Sequence, residues 1–195
     1  MLKSTGKRKM QAPADFNQDT AVLLVDISDM KASHIHDVME IDAQSAPRPW
    51  ARTLWDQELA NEEARSYRIA KSDKTLAGFC GVMYLPDEAH ITTIAVEKTL
   101  QRRSIGTQLV LDAAHRAIDH GSTSFSLEVR TLNSPAQHLY RQFGMAPAGI
   151  RKNYYPDSRE DAIVMFVSDI DKPEFADRLQ VIEERITGSG RKWES

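Results

Sequence analysis

The sequence predicts an α/β or α+β domain: a mixed, mostly antiparallel central sheet with helices on both faces. Three observations carry this. Strand-like and helix-like apolar patterns alternate from residue 21 to residue 169. The early strand candidates follow one another through short polar turns, as antiparallel neighbours do. The later ones are separated by helical segments long enough for a crossover.

In chain order, Ala21–Ile27 is an apolar strand candidate carrying Val22, Val25 and Ile27. Lys31–Ala43 reads as a helix with Ile35, Val38 and Met39 on one side. After a proline-containing loop, Trp50–Glu58 reads as a second helix offering Leu54 and Trp55 to a core. Ser66–Ala70 and Thr75–Leu85 form a strand pair around a polar Ser72–Asp73 turn, and Ala89–Val96 is a further strand. Ile105–Asp119 is the clearest helix. Its Ile105, Leu109, Val110, Ala113, Ala114 and Ala117 recur at helical spacing, and Gly121 suits its stop. Thr123–Arg130 alternates, with Phe125, Leu127 and Val129 opposite Ser124, Ser126, Glu128 and Arg130. Ser134–Phe143 is a short helix closed by Gly144. Ala148–Tyr154 and Ala162–Val167 pair around a polar loop. Asp171 can cap a last helix striped by Phe175, Leu179, Ile182 and Ile186, covering either its own domain or a partner. The expected organisation is thus an arm over residues 1–20, a domain over 21–169, and a helix with a tail over 170–195.

Composition narrows the function. The 195 residues are 41% hydrophobic and 27% charged, enough for one soluble core, and the net charge of −3 does not suit a nucleic-acid binder. The longest apolar run, Ala162–Val167, is too short for a membrane span, and no membrane partner is expected. The single cysteine, Cys80, reads as a small buried hydrophobe and allows no internal disulfide, which suits a reducing cytoplasmic setting. No dinucleotide fingerprint, P-loop or zinc-protease motif is present. His34 and His36 are two apart on an expected helix and diverge, so no metal is expected.

The stretch from Ile94 to Thr107 is the most informative. Ile94, Ala95 and Val96 end a strand. A loop with Gln101, Arg102 and Arg103 follows, and Ser104, Ile105, Gly106 and Thr107 open the strong helix. Free N–H groups and partial positive charge at such a helix start suit a phosphate, and small residues let it approach. A capped helix with surface arginines fits the same residues.

Gln101–Thr107 resembles the Q/R-x-x-G-x-G/A signature of the GNAT superfamily of N-acetyltransferases. The resemblance implies that this loop holds the pyrophosphate of acetyl-CoA while Ile94–Val96 pairs with its pantetheine arm. Ser104 stands where the family has its first glycine; if that position needs positive φ, serine is strained there. Leu127–Met145 is similar to the E-V-R-x-x-N-x-x-A-x-x-L-Y-x-x-x-G-F block of bacterial ribosomal-protein-alanine acetyltransferases, the RimI type, with Met145 in place of the phenylalanine. Pro49, Trp50, Trp55, Glu58 and Leu59 resemble that family's P-W-x-x-x-x-F/W-x-x-E/N-L helix, which brings Trp50 in as a substrate-side candidate. The similarity spans about residues 21–168.

Acetyl transfer to an amine needs a neutral amine, a stabilised oxyanion and a proton for the departing thiolate. A carboxylate can take the amine proton through water, and a phenol can protonate the thiolate. Glu128, on a polar strand face, and Tyr140, on a short helix, hold the family positions of base and acid, twelve residues apart. A solvated strand residue fits the Glu128 pattern equally well, and pattern alone favours a core tyrosine at Tyr140. Asn133 matches a cofactor-contacting position and is also a natural N-cap. Arg151–Met165 is similar to the R-K/R-x-Y-Y…E-D-A-x-x-M segment of RimI and eukaryotic N-terminal acetyltransferases. That resemblance implies that Tyr154 and Tyr155 grip a peptide N-terminus, with nearby carboxylates favouring a cationic amine; a hairpin with two surface tyrosines is the plainer alternative.

The reading is an acetyl-CoA-dependent N-terminal acetyltransferase of a ribosomal protein beginning with alanine, with a monomer as the simplest state. A GNAT enzyme for lysine side chains or small amines, and a non-catalytic acyl-CoA-binding protein, are the alternatives.

Overall fold

The computed structural model describes residues 21–45 and 48–189. The expected arm over residues 1–20 lies outside them. Seven strands form one sheet: β1 Asp26–Asp29, β2 Arg65–Ser72, β3 Thr75–Tyr84, β4 Glu88–Val96, β5 Ser124–Arg130, β6 Ala146–Tyr155 and β7 Glu160–Ser168. Their order is β1-β2-β3-β4-β5-β7-β6, and every neighbouring pair is antiparallel except β4–β5. The helices are α1 Ile35–Ser45, α2 Arg52–Leu59, α3 Ile105–Asp119, α4 Ser134–Gln142 and α5 Pro173–Ser189.

Two apolar layers cover the sheet. On one face Ile35, Val38 and Ile41 of α1 and Trp55 of α2 bury against Tyr67, Ile69, Phe79 and Ala95. On the other, α3 lays Ile105, Leu109, Val110, Ala113 and Ala117 over Ala89, Ile91, Phe125, Leu127 and Val129. Each large side chain buried this way contributes about 1.5–3 kcal/mol. The stripe of α5 joins this second core through Phe175, Leu179, Ile182 and Ile186, so it covers its own chain. Proline at its first position fits a helix start, where a missing N–H costs nothing.

The first strand is shorter than expected. Only Asp26–Asp29 pairs with β2. Val25 N–H instead donates to Gln108 Oε1 (3.2 Å), Gln108 Nε2 donates to Leu23 O (2.8 Å), and Leu23 N–H donates to Arg103 O (3.1 Å). A buried glutamine on α3 thus takes the hydrogen bonds a neighbouring strand would have taken. Arg68, also buried, ties β1 to α3 through Asp29 and through Asp112 Oδ2 at 3.0 Å.

Candidate active site

The parallel pair is brief: Glu88–Ile91 match Ser124–Leu127, and beyond them β4 and β5 separate. The far side of β4 fixes what faces the gap. Glu97 N–H donates to Ala77 O (2.9 Å), so the Gly78–Val96 pair is a non-hydrogen-bonded one. Val96 and Ile94 therefore turn their N–H and C=O groups away from β3, into the gap, whereas Ala95 directs its own to β3. Gln101 Nε2 donates to Val96 O at 3.2 Å. What remains is a short open strand edge that an extended, amide-bearing ligand can pair with.

The loop at the mouth of this gap has two left-handed residues, Arg102 (φ 65°) and Ser104 (φ 63°). Left-handed residues alternating with other backbone conformations turn successive N–H groups inward into an anion-binding nest, here continuous with the start of α3. Ile105 buries its side chain and offers only backbone. A Cβ on Gly106 would stand 3.4 Å from Leu139 and 3.8 Å from Val96, which shows how closely α3, α4 and β4 converge. Ser104 makes no side-chain cap, so nothing visible offsets its conformation. The left-handed form costs a non-glycine residue about 1–2 kcal/mol. Ser104→Gly is therefore expected to raise the thermal midpoint by a few degrees and leave phosphate-ligand affinity intact. An unchanged or lower midpoint would show that the serine is not strained.

Glu128 lies on the α1–α2 side of β5, opposite Leu127 and Val129. Its side chain is 6% exposed and held twice: His90 Nε2 is 2.9 Å from Oε2, and Arg151 Nε is 2.9 Å from Oε1. His90 reaches it because β4 and β5 run in register there, with Ser126 as its direct neighbour. Tyr140 lies on the other side of the sheet, its ring within the α3 core. Burial, with Cys80 and Tyr155 nearby, pushes its phenol well above the usual range. Among the described residues its hydroxyl has no hydrogen-bond partner. A protonated phenol on a buried ring, with no partner among the described residues, can donate to a ligand. Glu128 and Tyr140 thus lie on opposite faces of the sheet.

The β6–β7 hairpin closes the carboxylate side. Arg130 fastens it to the end of β5, donating to both Asp157 oxygens (3.1 Å each), to Glu160 Oε2 (3.2 Å) and to Ser158 Oγ (2.9 Å). It also stands 3.9 Å above the Tyr155 ring. Tyr155, its phenol pushed up to about 12 chiefly by burial, meets Tyr154 edge to face at 5.1 Å. The hairpin acids do not await an amine. Asp157 and Glu160 serve Arg130, and Asp161 takes Lys152 Nζ (2.6 Å) and Asn153 N–H (2.9 Å). Hydrogen bonding to Lys152 holds Asp161 below the usual carboxylate range.

Two candidates stand apart from the gap. Asn133 caps α4, its Oδ1 accepting from Ala136 N–H at 3.2 Å, which leaves its amide NH2 for a ligand. Trp50 packs on Trp55 at 4.8 Å between centroids, and its backbone N–H donates to Asp42 Oδ2 at 2.8 Å, so it roofs the α1–α2 layer. Among the described residues no His, Cys, Asp and Glu cluster could hold a metal ion, and no helix is long and apolar enough to cross a membrane.

A family model described as the acetyltransferase (GNAT) family matches residues 35–145, more than half of the chain. The chain belongs to the GNAT family of acetyltransferases. A Bacillus subtilis (strain 168) protein provisionally named a ribosomal protein bS18-alanine N-acetyltransferase is 39% identical over 142 residues, covering 73% of this chain and 94% of its own. The Escherichia coli (strain K12) ribosomal protein bS18-alanine N-acetyltransferase is 30% identical over 141 residues, covering 71% and 94%. The crystal structure of the ribosomal-protein-S18-alanine N-acetyltransferase from Escherichia coli superimposes with a TM-score of 0.68 at 28% identity, covering 75% and 94%.

Three residues of this acetyltransferase's site escaped the sequence reading. His90 meets Glu128 only through the β4–β5 register, which also sets Ser126 beside His90, and strand order is not written in local periodicity. Arg151 stands in the sequence only as part of a motif, yet its guanidinium is a direct partner of Glu128.

Proposed function

We propose that this acetyltransferase moves the acetyl group of acetyl-CoA to the α-amine of a protein beginning with alanine, the ribosomal protein bS18 of its relatives' names being the leading candidate. The observation that carries the chemistry is the open β4 edge with Glu128 on one face and the unpartnered Tyr140 hydroxyl on the other. The acceptor rests on relatives that match over nearly their whole length and on the tyrosine hairpin beside Glu128.

In this reading Ile94 and Val96 pair with the pantetheine amides, and the nest at Arg102–Thr107 takes the pyrophosphate. The thioester then lies in the gap with its carbonyl carbon open to the Glu128 face. The incoming ammonium gives one proton to Glu128, directly or through a water, and the neutral amine attacks. An outward N–H of β4 receives the oxyanion. Collapse breaks the C–S bond towards the other face, where Tyr140 protonates the thiolate. The second amine proton restores the phenol, so one proton in total is released to solvent.

Acetyl transfer should be measured with an alanine-starting peptide, the same peptide blocked at its N-terminus with an internal lysine, and a polyamine. Preference for the free N-terminus supports the reading; preference for the blocked peptide or the polyamine replaces it.

Tyr154 supplies a sharper check. It is 42% exposed and carries little structure, so alanine there leaves the hairpin fastened by Arg130. Losing one hydrogen bond to the peptide, about 0.5–1.5 kcal/mol, raises peptide KM about 2- to 12-fold with acetyl-CoA affinity unchanged. A parental peptide KM would favour a small amine as acceptor.

A further inference from the structure

The carboxylate at the base position ends a line of polar groups that acetyl transfer itself leaves unused. From Glu128 Oε2 the line runs to His90 Nε2 at 2.9 Å, from His90 Nδ1 to Ser126 Oγ at 2.7 Å, and from Ser126 Oγ to Glu88 Oε1. All four side chains lie on one face of β4 and β5, opposite Ala89, Ile91, Phe125 and Leu127, with Glu128 one residue past the paired part. The line also runs from inside to outside. Ser126 is buried, the Glu128 side chain is 6% exposed and that of Glu88 is 34% exposed.

Counting protons shows what the line can do. Three contacts in series need three hydrogens between their heavy atoms. The serine hydroxyl supplies one and a neutral imidazole supplies another. The contacts are all satisfied only when one additional proton is held somewhere along the line. A proton arriving on Glu128 completes the set: Glu128 donates to His90 Nε2, His90 Nδ1–H to Ser126 Oγ, and Ser126 O–H to Glu88. Three concerted hops then leave Glu128 ionised, His90 protonated on Nε2, the serine hydroxyl restored and Glu88 protonated. Each hop breaks one bond to hydrogen and forms another, and no other reactant is needed; the pass leaves His90 as its Nε2–H tautomer, and exchange of the imidazole proton with solvent restores the Nδ1–H form before the next turnover.

We propose that Ser126 and Glu88 are the exit path for the amine proton, carrying it from Glu128 through His90 to solvent. The proposal rests on Glu128 being the base. Acetyl transfer to an ammonium releases one proton per turnover, and Glu128 is covered by Arg151 on one side and by His90 on the other. Peptide and cofactor in the gap would close off what solvent access it has, whereas Glu88 lies at the other end of the paired strands. The charged groups facing His90 are those of the line itself. Glu88 stands 3.8 Å from Nδ1, Arg151 acts through Glu128, and the β3 neighbour in register is the uncharged Met83. Ser126 and Glu88 are positioning and relay residues, since neither reaches the gap.

The test uses the full-length enzyme with saturating peptide and acetyl-CoA. Ser126→Ala breaks the line, and kcat is expected to fall at least about tenfold at neutral pH, with both KM values within about twofold. The solvent deuterium isotope effect on kcat should rise, because proton release then limits turnover. Ser126→Thr, which keeps a hydroxyl, should restore most of the rate. Glu88→Gln accepts a hydrogen bond but no proton and should show the same loss; its partly exposed site keeps the test available should Ser126→Ala fail to fold. Parental kcat and isotope effect in Glu88→Gln, with Glu128→Gln slow, would overturn the exit path and leave the base in place. Parental kcat in Glu128→Gln as well would overturn the base assignment and the path together.

Discussion

Tyr140→Phe is expected to fold and bind acetyl-CoA as the parent does while kcat falls at least about tenfold, towards the 10²–10⁴ that a positioned general acid supplies. The substitution keeps the ring and its packing between α4 and the α3 core. Removing a hydroxyl usually costs stability when a buried partner is orphaned, but the Tyr140 hydroxyl has none among the described residues. The thermal midpoint should therefore hold. Burial raises this phenol's pKa, so it stays protonated throughout the working range, and the variant's relative loss should not shrink as pH rises. Water becomes a poorer proton donor in that direction. Measuring kcat where chemistry limits turnover decides the matter: a folded variant with parental kcat would leave Tyr140 a core residue and the thiolate with another acid.

How far the sequence carried depends on the range of the interactions involved. The α3 helix was legible to the residue, Ile105–Asp119, because its apolar period, its small N-terminal residues and Gly121 all act locally. The Ser104 question was legible as a condition, strain if the glycine position needs positive φ, and φ is 63°. The strand expected over Ala21–Ile27 failed for a long-range reason. Its partner over residues 23–25 is the side chain of Gln108, more than eighty positions away, and periodicity carries no trace of it. The hairpin acids were misread in the same way. Arg130 lies at the end of β5, and only the β5–β7 pairing brings it beside Asp157 and Glu160. The sequence offered carboxylates near tyrosines, but the fold uses those carboxylates to anchor the loop.

Glu128→Gln is the companion test, and its pH dependence runs the other way. Glutamine keeps the shape and one acceptor oxygen, so either His90 or Arg151 retains a partner. Arg151, 58% exposed, can turn to water at little cost, so the fold should survive. What disappears is the group that takes the ammonium proton, and kcat/KM at neutral pH should fall by about 10². An α-amine has a pKa of about 8, so at pH 7 roughly a tenth of the peptide is already neutral and at pH 9 most of it is. The variant's rate should therefore climb about tenfold across that interval as the substrate deprotonates without help, while the parent climbs less. A Tyr140→Phe enzyme measured alongside should show no such recovery, which separates a missing base from a missing acid. If the Glu128→Gln deficit stays constant from pH 7 to pH 9, the carboxylate orients His90 and Arg151 rather than taking the proton.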